Sequence, residues 1–350
     1  MSGDGAELRQ RPANHTPLTP LSFLTRAARL FPDKTAIIDG DRRIGYGEFE
    51  GRCRRFASAL ASRGIGRGDT VAILAANSPA LLEAHYAAPM IGAVLNPINI
   101  RLDPAAIAFC IEHGEAKLFL AERTFADAIG PALEQLETPP IVIDIADDAG
   151  AAGPALADVE YEAFLAAGDP AFAAPGPEEE WDSICLLYTS GTTGNPKGAV
   201  YSHRGAYLSA LVNALTFKLD HESVYLWTLP MFHCSGWTFT WAVTAAMGTH
   251  VCLRKVEPKG IFAAIAGEGV SHMCGAPIVL NMLVHAPDTD KTSFPQHVKC
   301  ATGGAAPPST VIAEMEKMGF EVLHLYGTTE MYGPSTFCAP QSAWDDLPEA

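Results

Sequence analysis

Residues 186–200 read Leu-Leu-Tyr-Thr-Ser-Gly-Thr-Thr-Gly-Asn-Pro-Lys-Gly-Ala-Val, an apolar run followed by small, hydroxylated and glycine residues. Thr189, Ser190, Thr192 and Thr193 place four hydroxyls within five positions. Gly191 and Gly194 free the backbone to turn its N–H groups toward one point, and Lys197 adds a cation. Such a set, at the end of a buried strand, is a cradle for phosphate oxygens. It is not the G-x-x-x-x-G-K-[ST] loop, because the residues flanking Lys197 are Pro196 and Gly198, with no hydroxyl next in line for magnesium. It does not follow the G-x-G-x-x-G spacing of dinucleotide folds either.

Three further groups of residues have chemistry to offer. His233 follows Leu229-Pro230-Met231-Phe232 and precedes Cys234. Thr302-Gly303-Gly304-Ala305-Ala306-Pro307 follows a strand-like run, and its glycines permit close approach of a flat ring. Tyr326-Gly327-Thr328-Thr329-Glu330 ends another apolar run with a carboxylate, a hard donor suited to Mg²⁺. Cys234 has no base or oxyanion arrangement beside it, so a covalent mechanism is not indicated.

In this order the four segments resemble the signatures of the adenylate-forming superfamily, which includes acyl-CoA synthetases, peptide-synthetase adenylation domains and luciferases. The resemblance extends over nearly the whole chain from about Pro20, and includes Asn77-Ser78-Pro79 and the run from Gly92 to Pro97. It implies that Thr189, Ser190, Gly191, Thr192, Thr193, Gly194 and Lys197 grip the ATP phosphates. It assigns Gly303, Gly304, Ala305, Ala306, Tyr326, Gly327 and Thr328 to the adenine and AMP. His233, Thr329, Glu330 and Lys197 become the catalytic candidates. Glu330 is the magnesium ligand, with Thr189 a weaker one. His233, Trp237, Cys274, Gly275 and Met331 become walls for the acyl group, with Ala276 beside them. The segment from Met231 to Trp237, followed by Val251 to Lys255, is similar to medium-chain, aromatic or methylthio-propanoate CoA ligases.

The implied reaction has two halves: carboxylate plus ATP gives acyl-AMP and pyrophosphate, and coenzyme A then displaces AMP. A small-molecule carboxylic acid is the expected partner, with ATP, Mg²⁺ and CoA. The alternative is a nucleotide-binding, non-catalytic paralogue. The family's ribose-binding Asp, hinge Arg and small C-terminal domain with its lysine have no counterpart in this sequence. The resemblance therefore implies an N-terminal domain that adenylates poorly by itself.

These residues need a scaffold, and the pattern supplies one. The sequence predicts helices over 21–30, 46–63, 205–216, 236–247, 260–267, 277–285 and 307–318, and helix starts at Ser78 and Asp103. Strands are expected over 35–39, 43–46, 70–74, 116–120, 140–144, 183–188, 224–229, 250–253, 271–274, 298–302 and 321–326. Apolar strands alternating with helices define an α/β class of two wound lobes with mainly parallel sheets. The expected divisions are a polar segment 1–20, a first lobe 21–177 that includes an Ala/Gly/Pro-rich connection from 147, and a second lobe 178–350.

Composition excludes several classes. Hydrophobic residues make up 48% of the 350 and charged ones 18%, a globular balance. A formal net charge of −16 argues against nucleic acid as a partner. Eight scattered cysteines without C-x-x-C spacing argue against zinc and against a disulfide framework, and point to a cytoplasmic location. No secretory signal or transmembrane run is visible. The apolar share leaves room for a homodimer.

Overall fold

The computed structural model describes residues 10–11, 13–146, 153–189 and 196–344. Its strands are β1 (Thr35–Asp39), β2 (Arg42–Gly45), β3 (Thr70–Leu74), β4 (Val94–Pro97), β5 (Ala116–Glu122), β6 (Ile141–Ile145) and β7 (Ser183–Thr189). After these come β8 (Lys197–Ser202), β9 (Val224–Leu226), β10 (Thr249–Val251), β11 (His272–Gly275), β12 (Val298–Thr302), β13 (Phe320–Thr328) and β14 (Gly333–Phe337). Helices α1 (Leu21–Leu30), α2 (Tyr46–Ser62), α3 (Pro79–Met90), α4 (Pro104–His113), α5 (Ala126–Leu133) and α6 (Tyr161–Ala166) belong to the first half. The second half carries α7 (His203–Thr216), α8 (Cys234–Trp237, a single left-handed turn), α9 (Phe239–Ala245), α10 (Pro258–Glu268), α11 (Pro277–Val284) and α12 (Ser309–Lys317).

Local chemistry explains most of these limits. Leu21, Leu24, Ala27 and Ala28 recur on one face of α1 and are all buried. Ser78 and Asp103 accept hydrogen bonds from the N–H groups of Leu81 and Ala106, and a proline fills the next position in each case. The connection after residue 152 contains one short helix, α6, as expected.

Two sheets result, ordered β6-β5-β3-β4-β7-β8 and β14-β13-β12-β11-β9-β10-β1-β2. Pairings are parallel except β1/β2, β7/β8 and β13/β14. The mainly parallel α/β class is therefore observed. Sheet membership does not follow the expected division at residue 177. β1 and β2 join the sheet of the second half, through the β1/β10 pairing, and β7 and β8 join the sheet of the first. A continuous apolar strand such as Thr35–Asp39 needs neighbours on both sides and cover on both faces, and local pattern does not say which sheet will provide them.

One core cluster runs through both sheets, from Phe49 and Phe56 to Trp227 and Trp241. At its centre lies α3, buried on every side. It carries two polar residues into the interior. Glu83 is held by the guanidinium of Arg52 at 2.6 Å and by the hydroxyl of Tyr161. His85 meets residues of the second half, described below. Among the described residues no helix is long and apolar enough to cross a membrane.

Candidate active site

A cleft of about 610 Å³ lies where the β7–β8 hairpin approaches the β13–β14 hairpin. Its walls come from the C-terminal ends of β4, β7 and β13, the loop after β12, and the segment 232–237. This is where open α/β sheets place ligands, because the loops leaving parallel strands converge there. A second groove of about 860 Å³ beside α1 contains none of the sequence-predicted site residues.

The cleft unites Thr189, Lys197, His233, Trp237, Gly304, Gly327, Thr328, Thr329 and Glu330. Thr189 closes β7 directly opposite Lys197, the first residue of β8, so the hairpin register puts both at the cleft rim. Ser190, Gly191, Thr192, Thr193 and Gly194, the tip of the expected phosphate cradle, lie outside the described residues. Lys197 begins a strand, where the sequence pattern indicated only a loop. Val200 and Tyr201 alternate outward and inward along it, a short signal masked by the glycines before it.

Across the cleft, Glu330 follows β13 in a single helical turn. Its carboxylate is held below the ordinary range by its own backbone N–H, then by the hydroxyl of Thr328, with Lys197 adding a positive charge. It is therefore ionised at neutral pH. The Thr329 hydroxyl lies 3.3 Å from the Cys234 sulfur, and the Thr329 carbonyl accepts a hydrogen bond of 2.6 Å from Tyr201 on β8. Tyr332 stacks on Tyr201 at 3.9 Å between centroids, and its hydroxyl accepts the Ser202 N–H. These contacts lock the two hairpins together. They also explain Gly205, where a Cβ would stand 2.3 Å from the Tyr332 ring.

His233 faces the cleft one residue before Cys234, whose sulfur is 3.9 Å from its Nε2. Surrounding protein, and then the charge of Arg101, lower the His233 pKa, so the ring is neutral at neutral pH. Burial raises the Cys234 thiol, which keeps it protonated and unsuited to nucleophilic work. Arg101, on the loop after β4, was not among the candidates. It sits two residues past Asn99, whose side chain accepts the Arg101 N–H, a turn signal readable in the sequence.

Other expected residues are elsewhere. Gly303 is buried just behind the cleft, where a Cβ would meet Leu325 and the Trp237 ring. Ala305 and Ala306 are exposed, and Tyr326 is 58% exposed. Met331 is also exposed and outside the cleft lining. Cys274 and Gly275 end β11 inside the core, with the Cys274 carbonyl accepting from Thr228 and Gly275 packed toward Val279. The apolar run that made them candidates for a wall serves the core here. Trp237 does stand in the lining, 6% exposed, over the backbones of Gly303 and Gly333.

The largest departure from the sequence pattern lies between His233 and Phe239. A right-handed helix was expected over 236–247. Instead Cys234, Ser235, Gly236, Trp237 and Thr238 all have φ between 45° and 62°, a left-handed turn, and α9 starts only at Phe239. Each non-glycine residue in that region costs about 1–2 kcal/mol, so such a run persists only if its surroundings fix it. The Asn213 amide donates to the Trp237 carbonyl at 2.9 Å and to the Thr238 hydroxyl at 2.8 Å. Asn77 grips the preceding segment through the carbonyls of Trp227 and Leu229 and the N–H of Met231. The Gly236 position lies against the Trp227 ring.

Metal is accommodated only partly by the protein. Among the described residues there is no group of three or more His, Cys, Asp or Glu able to hold an ion. One ionised carboxylate facing a cleft fits Mg²⁺, which keeps waters and substrate phosphate oxygens as its remaining ligands.

Known proteins resemble this chain over most of its length. The family model described as AMP-binding enzyme matches residues 24–349. An acetate–CoA ligase of Humulus lupulus is 46% identical, with 98% of this chain and 62% of that protein covered. An acetate/butyrate–CoA ligase of Arabidopsis thaliana, described as peroxisomal, has the same identity and coverage. A peroxisomal trans-cinnamate:CoA ligase of Petunia hybrida is 43% identical over 97% of this chain and 62% of its own length. The chain thus spans about three fifths of the length of these relatives. Among solved structures, the inhibitor-bound N-terminal domain of FACL13 from Mycobacterium tuberculosis superposes with a TM-score of 0.81 at 26% identity, covering 91% of this chain and 78% of that one.

Proposed function

The chain belongs to the AMP-binding enzyme family, and from that premise we propose that the protein containing it joins a small carboxylic acid to coenzyme A at the expense of ATP. The carrying observation is the convergence of Thr189, Lys197, His233, Thr329 and Glu330 on one cleft from separate parts of the chain. In the first step a carboxylate oxygen bonds to the α-phosphorus of ATP, and the bond to pyrophosphate breaks. In the second the CoA thiol bonds to the acyl carbon, loses its proton, and AMP departs. A carboxylate acylates thiols poorly, so the mixed anhydride supplies the leaving group.

The residues divide the work by charge. Lys197 offsets the phosphate charge that grows on the leaving group. Neutral His233 can lie beside the incoming carboxylate without fixing it as an ion pair. Thr329 presents a hydroxyl where β13 ends. Glu330, with Thr189 as a weaker ligand, would hold Mg²⁺, which supplies charge neutralisation across the phosphates. The adenine assignments to Gly303, Gly304 and Tyr326 rest on the resemblance, supported by the position of Gly304 in the cleft.

A short or compact acid fits best. The named relatives act on acetate, butyrate and cinnamate, and Trp237 closes the cleft against Gly303 and Gly333. The proposal places the protein in the cytoplasm, supported by eight free thiols among the described residues.

Pyrophosphate release over a panel of acids tests the reaction. Acid-independent release of ADP and phosphate would defeat it. Trp237→Leu tests the pocket: the kcat/KM ratio of hexanoate over acetate should rise about tenfold or more, the scale of methylene discrimination. An unchanged ratio would remove Trp237 from the acyl wall.

A further inference from the structure

His85 and Ser235 lie far apart in sequence and meet in the core. The His85 Nδ1 is 2.7 Å from the Leu81 carbonyl, and its Nε2 is 2.7 Å from the Ser235 hydroxyl. A carbonyl can only accept, so Nδ1 carries the proton. In the neutral ring Nε2 then accepts, and Ser235 must donate. Burial holds the ring neutral, with its pKa pushed down to about 4. The Cys185 thiol, 3.8 Å from the Ser235 oxygen, is placed to donate in turn. The Ser235 carbonyl accepts from Thr240 at 3.3 Å. The Ser235 hydroxyl and carbonyl are therefore both engaged while the residue sits in the left-handed region.

This places Ser235 at a junction. One residue before it, Cys234 touches Thr329. Two residues before it, His233 faces the cleft. Two residues after it, Trp237 closes the pocket. Rotation of this turn to a right-handed form would redirect all three side chains together. The helix that holds it, α3, is buried on every side.

We propose that His85 is a positioning residue for the acid half of the reaction, setting the left-handed turn through Ser235 so that His233 and Trp237 face the carboxylic acid. The proposal rests on the ligase reading for its kinetic consequence, and on the turn alone for its structural one. The ATP contacts lie outside the turn itself, on the β7–β8 hairpin, on β13 and the turn after it, and on the loop after β12, so ATP should be affected less than the acid. A residue serving only general stability would affect both substrates alike.

The test compares Ser235→Ala, Ser235→Gly, His85→Leu and His85→Gln in the protein containing the full chain. Ser235→Ala removes the hydroxyl but keeps the strain of the left-handed region, so the turn loses the bond that holds it, whereas Ser235→Gly relieves that strain and should keep the turn without the hydroxyl. With KM for ATP changed less and Ser235→Gly keeping most of the rate, the kcat/KM of Ser235→Ala for the acid should fall about 10²-fold, the scale for a displacement near 1 Å. His85→Leu should behave likewise. His85→Gln, which keeps a donor and an acceptor, should recover most of the loss. A second readout is independent of turnover: alkylation of Cys234 by a small reagent, mapped by mass spectrometry, should accelerate in Ser235→Ala and His85→Leu as its packing against Thr329 loosens. Equal losses toward acid and ATP, or unchanged acid kinetics, would overturn the proposal. If the wild type gives no acid-dependent pyrophosphate at all, the ligase reading fails, and the alkylation rates decide the positioning role by themselves: unchanged rates sink it.

Discussion

Glu330→Gln lowers acid-dependent pyrophosphate release by about 10²–10³-fold, the range found when one preorganised electrostatic partner of a reacting group is removed. The substitution keeps the shape of the side chain and deletes only its charge. In the native protein that charge is secured by the Glu330 N–H and the Thr328 hydroxyl, which hold the carboxylate ionised below the ordinary carboxylate range. The sign follows: a lowered pKa means that the charge persists as pH falls and is lost only below the usual carboxylate titration. The Mg²⁺ concentration for half-maximal rate should rise in the variant. Because Glu330 is exposed and makes no core contact, the urea midpoint should stay within the range of an ordinary surface substitution, about 0.5 kcal/mol. A variant with native rates, or one that simply unfolds, contradicts this assignment.

The second large effect is on structure. A Cβ at Gly327 would stand 1.7 Å from the Gly333 carbonyl oxygen and 3.0 Å from the Pro334 Cα. Both obstacles are backbone, so no side chain can swing away. Gly327→Ala must force β13 and β14 apart where their register already shifts. Overpacking typically costs about 1–3 kcal/mol, and a backbone clash belongs at or above the upper end. Gly51 offers the contrast, because it lies within α2 with open space at its Cβ. Gly51→Ala should be neutral or stabilising by up to about 1 kcal/mol. Denaturant titration of the two variants reads the difference directly. Similar midpoints would mean that β13 and β14 are free to separate.

The sequence was sufficient for whatever depends on neighbours along the chain. Capping side chains at Ser78 and Asp103, apolar spacing in α1 and α2, and the continuous runs of β1, β3 and β12 announced their elements with limits close to those observed. Residue chemistry also announced the cleft, since a hydroxyl- and glycine-rich loop, an isolated His and a carboxylate after a strand each have few structural uses. The ordered resemblance connected them. The short strands β4, β8 and β14 and the helix α5 were not expected. Strands of four to six residues with glycine or proline inside carry little periodicity, and β8 and β14 pair only at sheet edges.

Tertiary structure alone decided the remainder. Assignment of β1 and β2 to the second sheet, and of β7 and β8 to the first, depends on which faces are left to cover. The resemblance offers Cys274, Gly275 and Met331 as pocket walls, yet the core claims the first two and the third is half exposed outside the cleft lining. The turn at Cys234–Thr238 is the clearest case. Residues 236–238 read as the start of a right-handed helix, because no local preference favours a left-handed turn with four non-glycine residues in five. Buried partners from α3 and α7, distant in the chain, oppose that preference with hydrogen bonds to Ser235, Trp237 and Thr238. What the sequence determined was the inventory of elements and reactive groups; what only the fold decided was the direction in which those groups face, because direction is set by contacts that no local window contains.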